Sequence, residues 1–105
     1  MKNITMKELH DKLSKLGADE LILDVRGADE YRNGHVPGSR NIPHDSVAKH
    51  AAELKKYKTV YIHCQAGGRA SMAFMVLQNF GLNNLVCVGR GGMGEWISAG
   101  LPVER

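Results

Sequence analysis

Three short apolar segments, each joined to the next by a helical stretch, constrain the fold of this chain more than any other feature. They are residues 20–25 (ELILDV), 59–63 (TVYIH) and 84–88 (NLVCV). Their length and their content of β-branched residues are typical of buried strands. Strands that alternate with helices predict a parallel sheet, because parallel neighbours need crossover connections. We therefore expect an α/β fold with a central parallel β-sheet and helices on both faces.

The helical stretches between these strands carry recognisable start and stop signals. Thr5 and Glu8 form a capping-box pattern before a helix predicted over residues 6–16, and a second helix is predicted over 46–54. A third, within residues 69–80 (RASMAFMVLQNF), is apolar nearly all round and is expected to be buried on most sides. Its large apolar residues are therefore expected to pack in the core: Met72, Phe74, Met75 and Phe80.

The bulk properties limit the class of protein. A chain of 105 residues is expected to form one domain over residues 1–105. No segment approaches the roughly 18 apolar residues of a membrane span, so we expect a cytoplasmic protein without a membrane partner. A net charge of +3, spread along the chain, gives little support for a nucleic-acid partner and suits a small anionic substrate.

The cysteine and histidine content argues against stabilisation of the fold by disulfide bonds or bound metals. Two cysteines are too few for a disulfide framework and are expected to be free thiols in a reducing compartment. These cysteines and the five dispersed histidines show no metal-ligand spacing, so neither a metal nor another cofactor is expected. The local setting of each cysteine must therefore decide its role.

Cys64 follows the predicted strand 59–63 and opens the loop 64–69, which leads into the third helix. In a parallel sheet the carboxyl ends of the strands meet at one edge, where ligands bind. The loop 64–69 should therefore share one mouth with residues 24–26 and 89–94.

The loop has the composition of an anion-binding turn. A helix N-terminus and the charge of Arg69 both stabilise a thiolate, and Gly67 and Gly68 permit a positive φ that curls N–H groups inward. Cys64 is thus the candidate nucleophile. The candidate substrate-binding residues are those that follow it: Gln65, Ala66, Gly67, Gly68, Arg69 and Ala70. The same pattern also fits a tight turn around a buried structural cysteine.

Three ordered motifs resemble the rhodanese family. Residues 21–43 (LILDVRGADEYRNGHVPGSRNIP) are similar to its N-terminal signature, and residues 91–103 (GGMGEWISAGLPV) to its C-terminal signature. The stretch 64–71 (CQAGGRAS) lies between them at the place of the family's active loop. Together the motifs cover almost the whole chain.

The resemblance implies a single rhodanese domain with a rhodanese-like fold and sulfurtransferase activity. A sulfane sulfur would move from thiosulfate or a persulfide or polysulfide donor, through a Cys64 persulfide, to cyanide or a thiol, including a protein sulfur acceptor. In the family a six-residue loop, here residues 64–69, fits a sulfane sulfur, whereas the related phosphatases have seven residues.

Two positions depart from the family pattern. Gln65 stands where many active members have a basic residue, which weakens the case for thiosulfate as the physiological donor. Arg90 stands where an acidic residue is common, and either restores positive potential at the mouth or is a solvated surface arginine. Asp24 and Arg26 match the Asp-Val-Arg of the signature and are expected to brace the loop rather than to react.

The remaining candidates have mainly structural interpretations. His63 should point away from the side of the sheet on which Cys64 lies, because successive strand residues alternate. Cys87 is interpreted as an apolar filler, or as a resolving thiol if its Cα lies within about 7 Å of that of Cys64. His35 is expected to be a hydrogen-bonded structural histidine, and Trp96 is expected to anchor the last helix.

Two other functions remain open from the sequence. One is a non-catalytic rhodanese-like module that binds or regulates a protein partner, for which the intact Cys64 and Arg69 are unnecessary. The other is an arsenate- or phosphate-processing enzyme, which the short loop disfavours.

Overall fold

The computed structural model describes residues 2–89 and 91–105. Its centre is a five-stranded sheet in which all neighbouring strands are parallel, in the order β1-β5-β4-β2-β3. The strands are β1 (Asn3–Ile4), β2 (Glu20–Asp24), β3 (Arg40–Asn41), β4 (Thr59–His63) and β5 (Leu85–Val88). The parallel sheet predicted from the alternating pattern is confirmed.

Helices cover both faces of this sheet, as predicted. They are α1 (Met6–Lys12), α2 (Ala28–Arg32), α3 (Ala51–Leu54), α4 (Gly68–Asn79) and α5 (Gly92–Ser98). Helices α3 and α4 pack into the apolar cluster on one face, and α1 and α5 pack into the cluster on the other. No helix among the described residues is both long and apolar enough to cross a membrane.

Two predicted helices are shorter than the sequence pattern indicated. The capping box of Thr5 and Glu8 is present, but α1 ends at Lys12 and continues as a 3₁₀ turn over Leu13–Lys15. The segment predicted as a helix over 46–54 is a 3₁₀ helix over His44–His50 followed by α3. Apolar spacing alone does not distinguish the two helical forms over such short runs.

The prediction that α4 is buried on most sides is wrong. Met72, Met75 and Phe80 are 56%, 58% and 53% exposed, whereas Phe74 is 5% exposed. The residues of α4 that pack on the sheet are Ala70, Ala73, Phe74 and Leu77. One face of α4 is sufficient to cover β4 and β5. The 3₁₀ helix over His44–His50 and α3 occupy the adjoining part of the same layer. The outer face of α4 is therefore left without a neighbour among the described residues.

Strand alternation separates the reactive side chains into two groups. Cys64 and Cys87 belong to the cluster under α4. His63, the neighbour of Cys64, lies instead near Asp24, its register partner on β2. The two cysteines and the buried Asp24–His63 pair are therefore on opposite faces of the sheet.

Candidate active site

The Cys64 loop connects the end of β4 to the start of α4. Gly67, the residue before the helix, has a φ of 108°, a left-handed conformation that glycine adopts without steric cost. Gly68 lacks a positive φ and is the first residue of α4. The turn directs the amides of Gly67 and Ala70 at Cys64, whose Sγ accepts N–H bonds from them at 3.0 and 3.3 Å.

Cys64 combines burial with polar contacts. Cys64 is 1% exposed and belongs to the apolar cluster beneath α4, yet its sulfur faces backbone N–H donors. The N-terminus of the 12-residue helix α4 adds its dipole to these donors. A buried structural cysteine needs no such donors, whereas a negative charge on the sulfur is stabilised by them.

Helix α5 holds the backbone of the loop from the other side. The amide of Met93 donates to the Cys64 carbonyl at 2.9 Å, and that of Gly94 donates to the Gln65 carbonyl at 3.3 Å. Gly92 lies so close that a Cβ there would overlap the Cys64 carbonyl oxygen and come within 2.7 Å of the Gln65 carbonyl oxygen. The loop conformation therefore depends on the start of α5.

Arg69 forms an ion pair instead of presenting a free charge to Cys64. Its guanidinium makes two hydrogen bonds to the Glu30 carboxylate, at 2.6 and 2.9 Å. The bonds from Arg69 hold the pKa of Glu30 at about 2, with a smaller contribution from the Gly27 amide, which donates to the same carboxylate. At neutral pH the positive charge of Arg69 is consequently balanced beside the loop.

Asp24 and Arg26 form a buried bidentate pair under the mouth. Arg26 donates to the Asp24 carboxylate through Nε at 3.0 Å and Nη2 at 2.8 Å, and the two side chains are 4% and 0% exposed. The same guanidinium contacts the Gln65 side chain at 3.4 Å and donates to the Gly34 carbonyl at 2.9 Å. These contacts connect the end of β2 to the residue that follows Cys64.

His63 is fully buried on the opposite face of the sheet from Cys64. Its Nε2 lies 3.9 Å from an Asp24 carboxylate oxygen, and burial lowers its pKa despite the opposing effect of that carboxylate. The imidazole is thus held uncharged at neutral pH. Its position beside Asp24, on the other face of the sheet from the cluster that contains Cys64, keeps the ring away from the Cys64 sulfur.

The structure brings the residues predicted for the site together unequally. Cys64 and the amides of Gly67 and Ala70 are in contact, whereas Gln65, Ala66 and Gly68 are exposed. Arg90 lies outside the described residues.

Sequence reasoning did not identify Glu30 as the partner of Arg69, nor α5 as a support for the loop. The two members of the Glu30–Arg69 pair are 39 positions apart in sequence, so spacing gives no signal for it.

His35 and Trp96, the two signature residues for which a structural role is expected, both make packing contacts. His35 Nδ1 lies 2.8 Å from the Tyr31 carbonyl oxygen, and its ring stacks on that of Tyr31 with centroids 3.7 Å apart. Trp96 of α5 is fully buried, its ring centroid lies 5.5 Å from that of His10 on α1, and its Nε1 donates to the Pro102 carbonyl at 2.8 Å. Both signatures therefore supply packing contacts in addition to the site.

Comparison with known proteins gives one consistent family. The family model of the rhodanese-like domain matches residues 5–99. The "Putative sulfur carrier protein YrkF" of Bacillus subtilis is 38% identical over 84 residues, which are 78% of this chain and 45% of that protein. A "Sulfurtransferase" of Allochromatium vinosum is 29% identical over 85 residues, 81% of this chain and 78% of that protein. The chain thus spans less than half of the Bacillus relative.

Solved structures agree with the sequence comparison. The crystal structure of a rhodanese-related protein from Thermoplasma volcanium superimposes with a TM-score of 0.84 at 30% identity, over 99% of this chain and 98% of that one. The match therefore includes all five strands and the Cys64 loop, and it agrees with the family-model match over residues 5–99. The chain belongs to the rhodanese-like domain family.

Proposed function

We propose that this protein transfers a sulfane sulfur through a persulfide on Cys64. The observation that carries the proposal is the pair of N–H bonds from Gly67 and Ala70 to the Cys64 sulfur, at the N-terminus of α4. Such donors stabilise both the thiolate that attacks and the persulfide anion that forms. The name of the Allochromatium relative, a sulfurtransferase, supports the same chemistry.

The reaction is a double displacement. The Cys64 thiolate attacks the outer sulfur of a persulfide, polysulfide or thiosulfate donor, the donor's S–S bond breaks, and a thiolate or sulfite leaves. A thiol or cyanide acceptor then attacks the outer sulfur of the Cys64 persulfide and regenerates the thiolate. Because these leaving groups are stable anions, the scheme needs no general base, which agrees with the position of His63 on the far face of the sheet.

The size of the loop favours sulfur over phosphorus. The amides of Gly67 and Ala70 already lie 3.0 and 3.3 Å from the Cys64 sulfur. A ring this tight has room for one added sulfur atom, whereas a phosphoryl group must place three oxygens among the donors. Arg69, which pairs with Glu30, also lacks a free charge for such oxygens.

The charges of the described residues around the loop favour an organic persulfide donor, whose persulfide group carries one negative charge, over thiosulfate. Gln65 adds no charge, and the guanidinium groups of Arg26 and Arg69 are each paired with a carboxylate. Thiosulfate carries two negative charges, which these three residues do not compensate. We therefore expect a higher kcat/KM for a small organic persulfide with no other charge than for thiosulfate.

Gln65→Lys is expected to raise kcat/KM for thiosulfate by about tenfold, because a unit charge about 4–8 Å from a dianion at a protein surface contributes on the order of 1–2 kcal/mol. The value for an uncharged organic trisulfide donor should change by less than about twofold, since the lysine adds no attraction for that donor. The measurement is steady-state sulfur transfer to cyanide with each donor at low ionic strength.

Gln65→Met is the matched control, since it keeps the length of the side chain and adds no charge. Its thiosulfate kinetics should equal those of the unaltered protein. An equal gain in Gln65→Lys and Gln65→Met would contradict the electrostatic explanation, as would a gain in Gln65→Lys that persists at high salt, where surface charges are screened.

Intact mass after incubation with polysulfide tests the proposed function directly. A gain of about 32 Da, the mass of one sulfur atom, that cyanide removes is the expected result. The gain should be absent from Cys64→Ser. A protein that gains no mass with thiosulfate, a persulfide or a polysulfide is not a sulfurtransferase.

A second candidate function is a non-catalytic module that binds a protein partner. The exposed apolar residues Met72, Met75 and Phe80 on the outer face of α4 favour it. The mass measurement separates the two functions, because a binding module has no need to carry sulfur on Cys64.

A further inference from the structure

A cavity of about 710 Å³ lies beside the Cys64 loop. Gly67, Gly68 and Ser71 at the start of α4 form part of its wall, and Cys87 of β5 forms another part. Among the described residues that line the cavity, Cys87 is the one that carries a thiol. Gly67 is shared by the two sites, since it lines this cavity and donates its N–H to the Cys64 sulfur.

Cys87 and Cys64 lie on the same face of the sheet. Cys87 pairs in register with Ile62 on β4, and Cys64 is two residues beyond Ile62. Side chains two residues apart on a strand point to the same side. Both cysteines accordingly belong to the apolar cluster beneath α4.

Each of the two thiols contacts the first turn of α4, and the two α4 residues that they contact are adjacent in sequence. The Cys64 sulfur accepts the amide of Ala70, and the Ser71 side chain contacts Cys87 and lowers its pKa. Burial has the larger effect and raises the pKa of Cys87, and a negative charge on Cys64 raises it further.

The spacing of the pair suits sulfur transfer better than a disulfide. Diagonal neighbours on adjacent strands have Cα atoms about 7–8 Å apart. A disulfide needs about 4.4–6.8 Å, so a direct Cys64–Cys87 bond would require movement of the backbone. A persulfide on Cys64 extends that side chain by one S–S bond of about 2 Å, which is comparable to the distance by which the pair exceeds disulfide range.

We propose that Cys87 takes the sulfane sulfur from the Cys64 persulfide and presents it to a small uncharged thiol in the adjoining cavity. This inference rests on the proposed function, since it requires a persulfide on Cys64. It makes Cys87 a second sulfur-carrying residue.

The transfer balances without an oxidant or a reductant. The Cys87 sulfur attacks the outer sulfur of the Cys64 persulfide anion and forms a new S–S bond. The old S–S bond breaks, and its electron pair stays on the Cys64 sulfur, which leaves as a thiolate held by the Gly67 and Ala70 amides. The thiol proton of Cys87 passes to the transferred sulfur, so one persulfide and one thiol exchange places.

The lining of the cavity defines the class of acceptor. Its charged members among the described residues are Glu8 and Glu95, and the rest of the lining includes Ile4, Ala66 and several glycines. Two carboxylates repel sulfite and other small anions, whereas an uncharged thiol enters without an electrostatic cost. A neutral thiol such as 2-mercaptoethanol is therefore the appropriate probe, with mercaptoacetate as its anionic counterpart.

Trypsin separates the two cysteines, which allows the position of the sulfur to be mapped. Cleavage after Lys58, Arg69 and Arg90 places Cys64 in the peptide 59–69 and Cys87 in the peptide 70–90. The protein is loaded with polysulfide, freed of donor, and quenched after a series of times in denaturant with an excess of alkylating reagent. The label that is followed is the additional sulfur atom on each cysteine peptide. We expect it to appear first on Cys64 and then, to at least about one tenth of the total, on Cys87.

Two controls identify the origin of the label on Cys87. In Cys64→Ser, Cys87 should remain unlabelled, because it is loaded only through Cys64. A mixture of loaded Cys87→Ser protein with unloaded Cys64→Ser protein should also leave Cys87 unlabelled, which excludes transfer between molecules or during the quench. Label on Cys87 in either control overturns the proposal.

The remaining outcomes distinguish this inference from the proposed function. A wild-type protein that is labelled on Cys64 but never on Cys87 overturns the relay alone, whereas a protein that takes no label on Cys64 overturns both. Cys87→Ser and Cys87→Ala should still load Cys64 but pass sulfur to 2-mercaptoethanol at least about tenfold more slowly, with a smaller effect for mercaptoacetate. Unchanged transfer in both variants contradicts the relay.

Discussion

Cys64→Ser is expected to reduce the transfer of sulfur from polysulfide to cyanide to the uncatalysed rate, a loss of at least about a thousandfold. A serine hydroxyl remains protonated at neutral pH and cannot form a persulfide. The Gly67 and Ala70 amides, which contact the cysteine sulfur, cannot replace the missing nucleophile. The measurement is the initial rate of thiocyanate formation.

The fold of this variant must be intact for the result to be interpretable. The oxygen of serine can accept the same two N–H bonds, and the carbonyl of residue 64 still accepts the Met93 amide, so thermal unfolding should change by the equivalent of less than about 2 kcal/mol. A folded Cys64→Ser protein that retains more than about one tenth of the activity would contradict the persulfide mechanism.

The sheet and the position of the reactive loop could be predicted from the sequence because local patterns determine them. The β-branched runs that became β2, β4 and β5 are short and apolar, and the helices between them require parallel pairing. Once the strands are parallel, the ends of β2 and β4 must lie at the same edge. The proximity of Arg26 to Gln65, at 3.4 Å, follows from that topology.

The exposed face of α4 could not be predicted in the same way. Met72, Met75 and Phe80 are apolar, and periodicity alone assigns them to a core. Whether a helix face is buried depends on whether another element covers it. That depends on how many layers the whole chain can build, and a chain of 105 residues builds three.

The net charge that Arg69 contributes beside the loop could also not be predicted from the sequence. Arg69 was expected to add positive charge beside Cys64, but its partner Glu30 lies in α2, which follows another strand. Helix α2 brings Glu30 within 2.6 Å of the guanidinium, and nothing in the spacing of the two residues indicates this contact. The preference for a less charged donor follows from this contact and from Gln65.

Gly92→Ala is expected to lower the free energy of unfolding by about 3 kcal/mol or more and the melting temperature by at least about 12 °C. The new Cβ would overlap the Cys64 carbonyl oxygen and approach the carbonyl carbon of Gln65 to 2.8 Å. These are backbone atoms fixed by the amides of Met93 and Gly94, so no side chain can rotate away to relieve the overlap. Moving α5 outward would break both hydrogen bonds.

The variant should also lose sulfur transfer in the fraction that remains folded, because displacement of the Cys64 carbonyl shifts the sulfur relative to the Gly67 and Ala70 amides. Gly100→Ala is the matched control, since Gly100 has a φ of 70° but nothing within 4 Å of its Cβ position. It carries the strain of an alanine at positive φ, about 1 kcal/mol, without the overlap. Equal destabilisation of the two variants would show that backbone strain, and not contact between α5 and the Cys64 loop, sets the requirement for glycine at position 92.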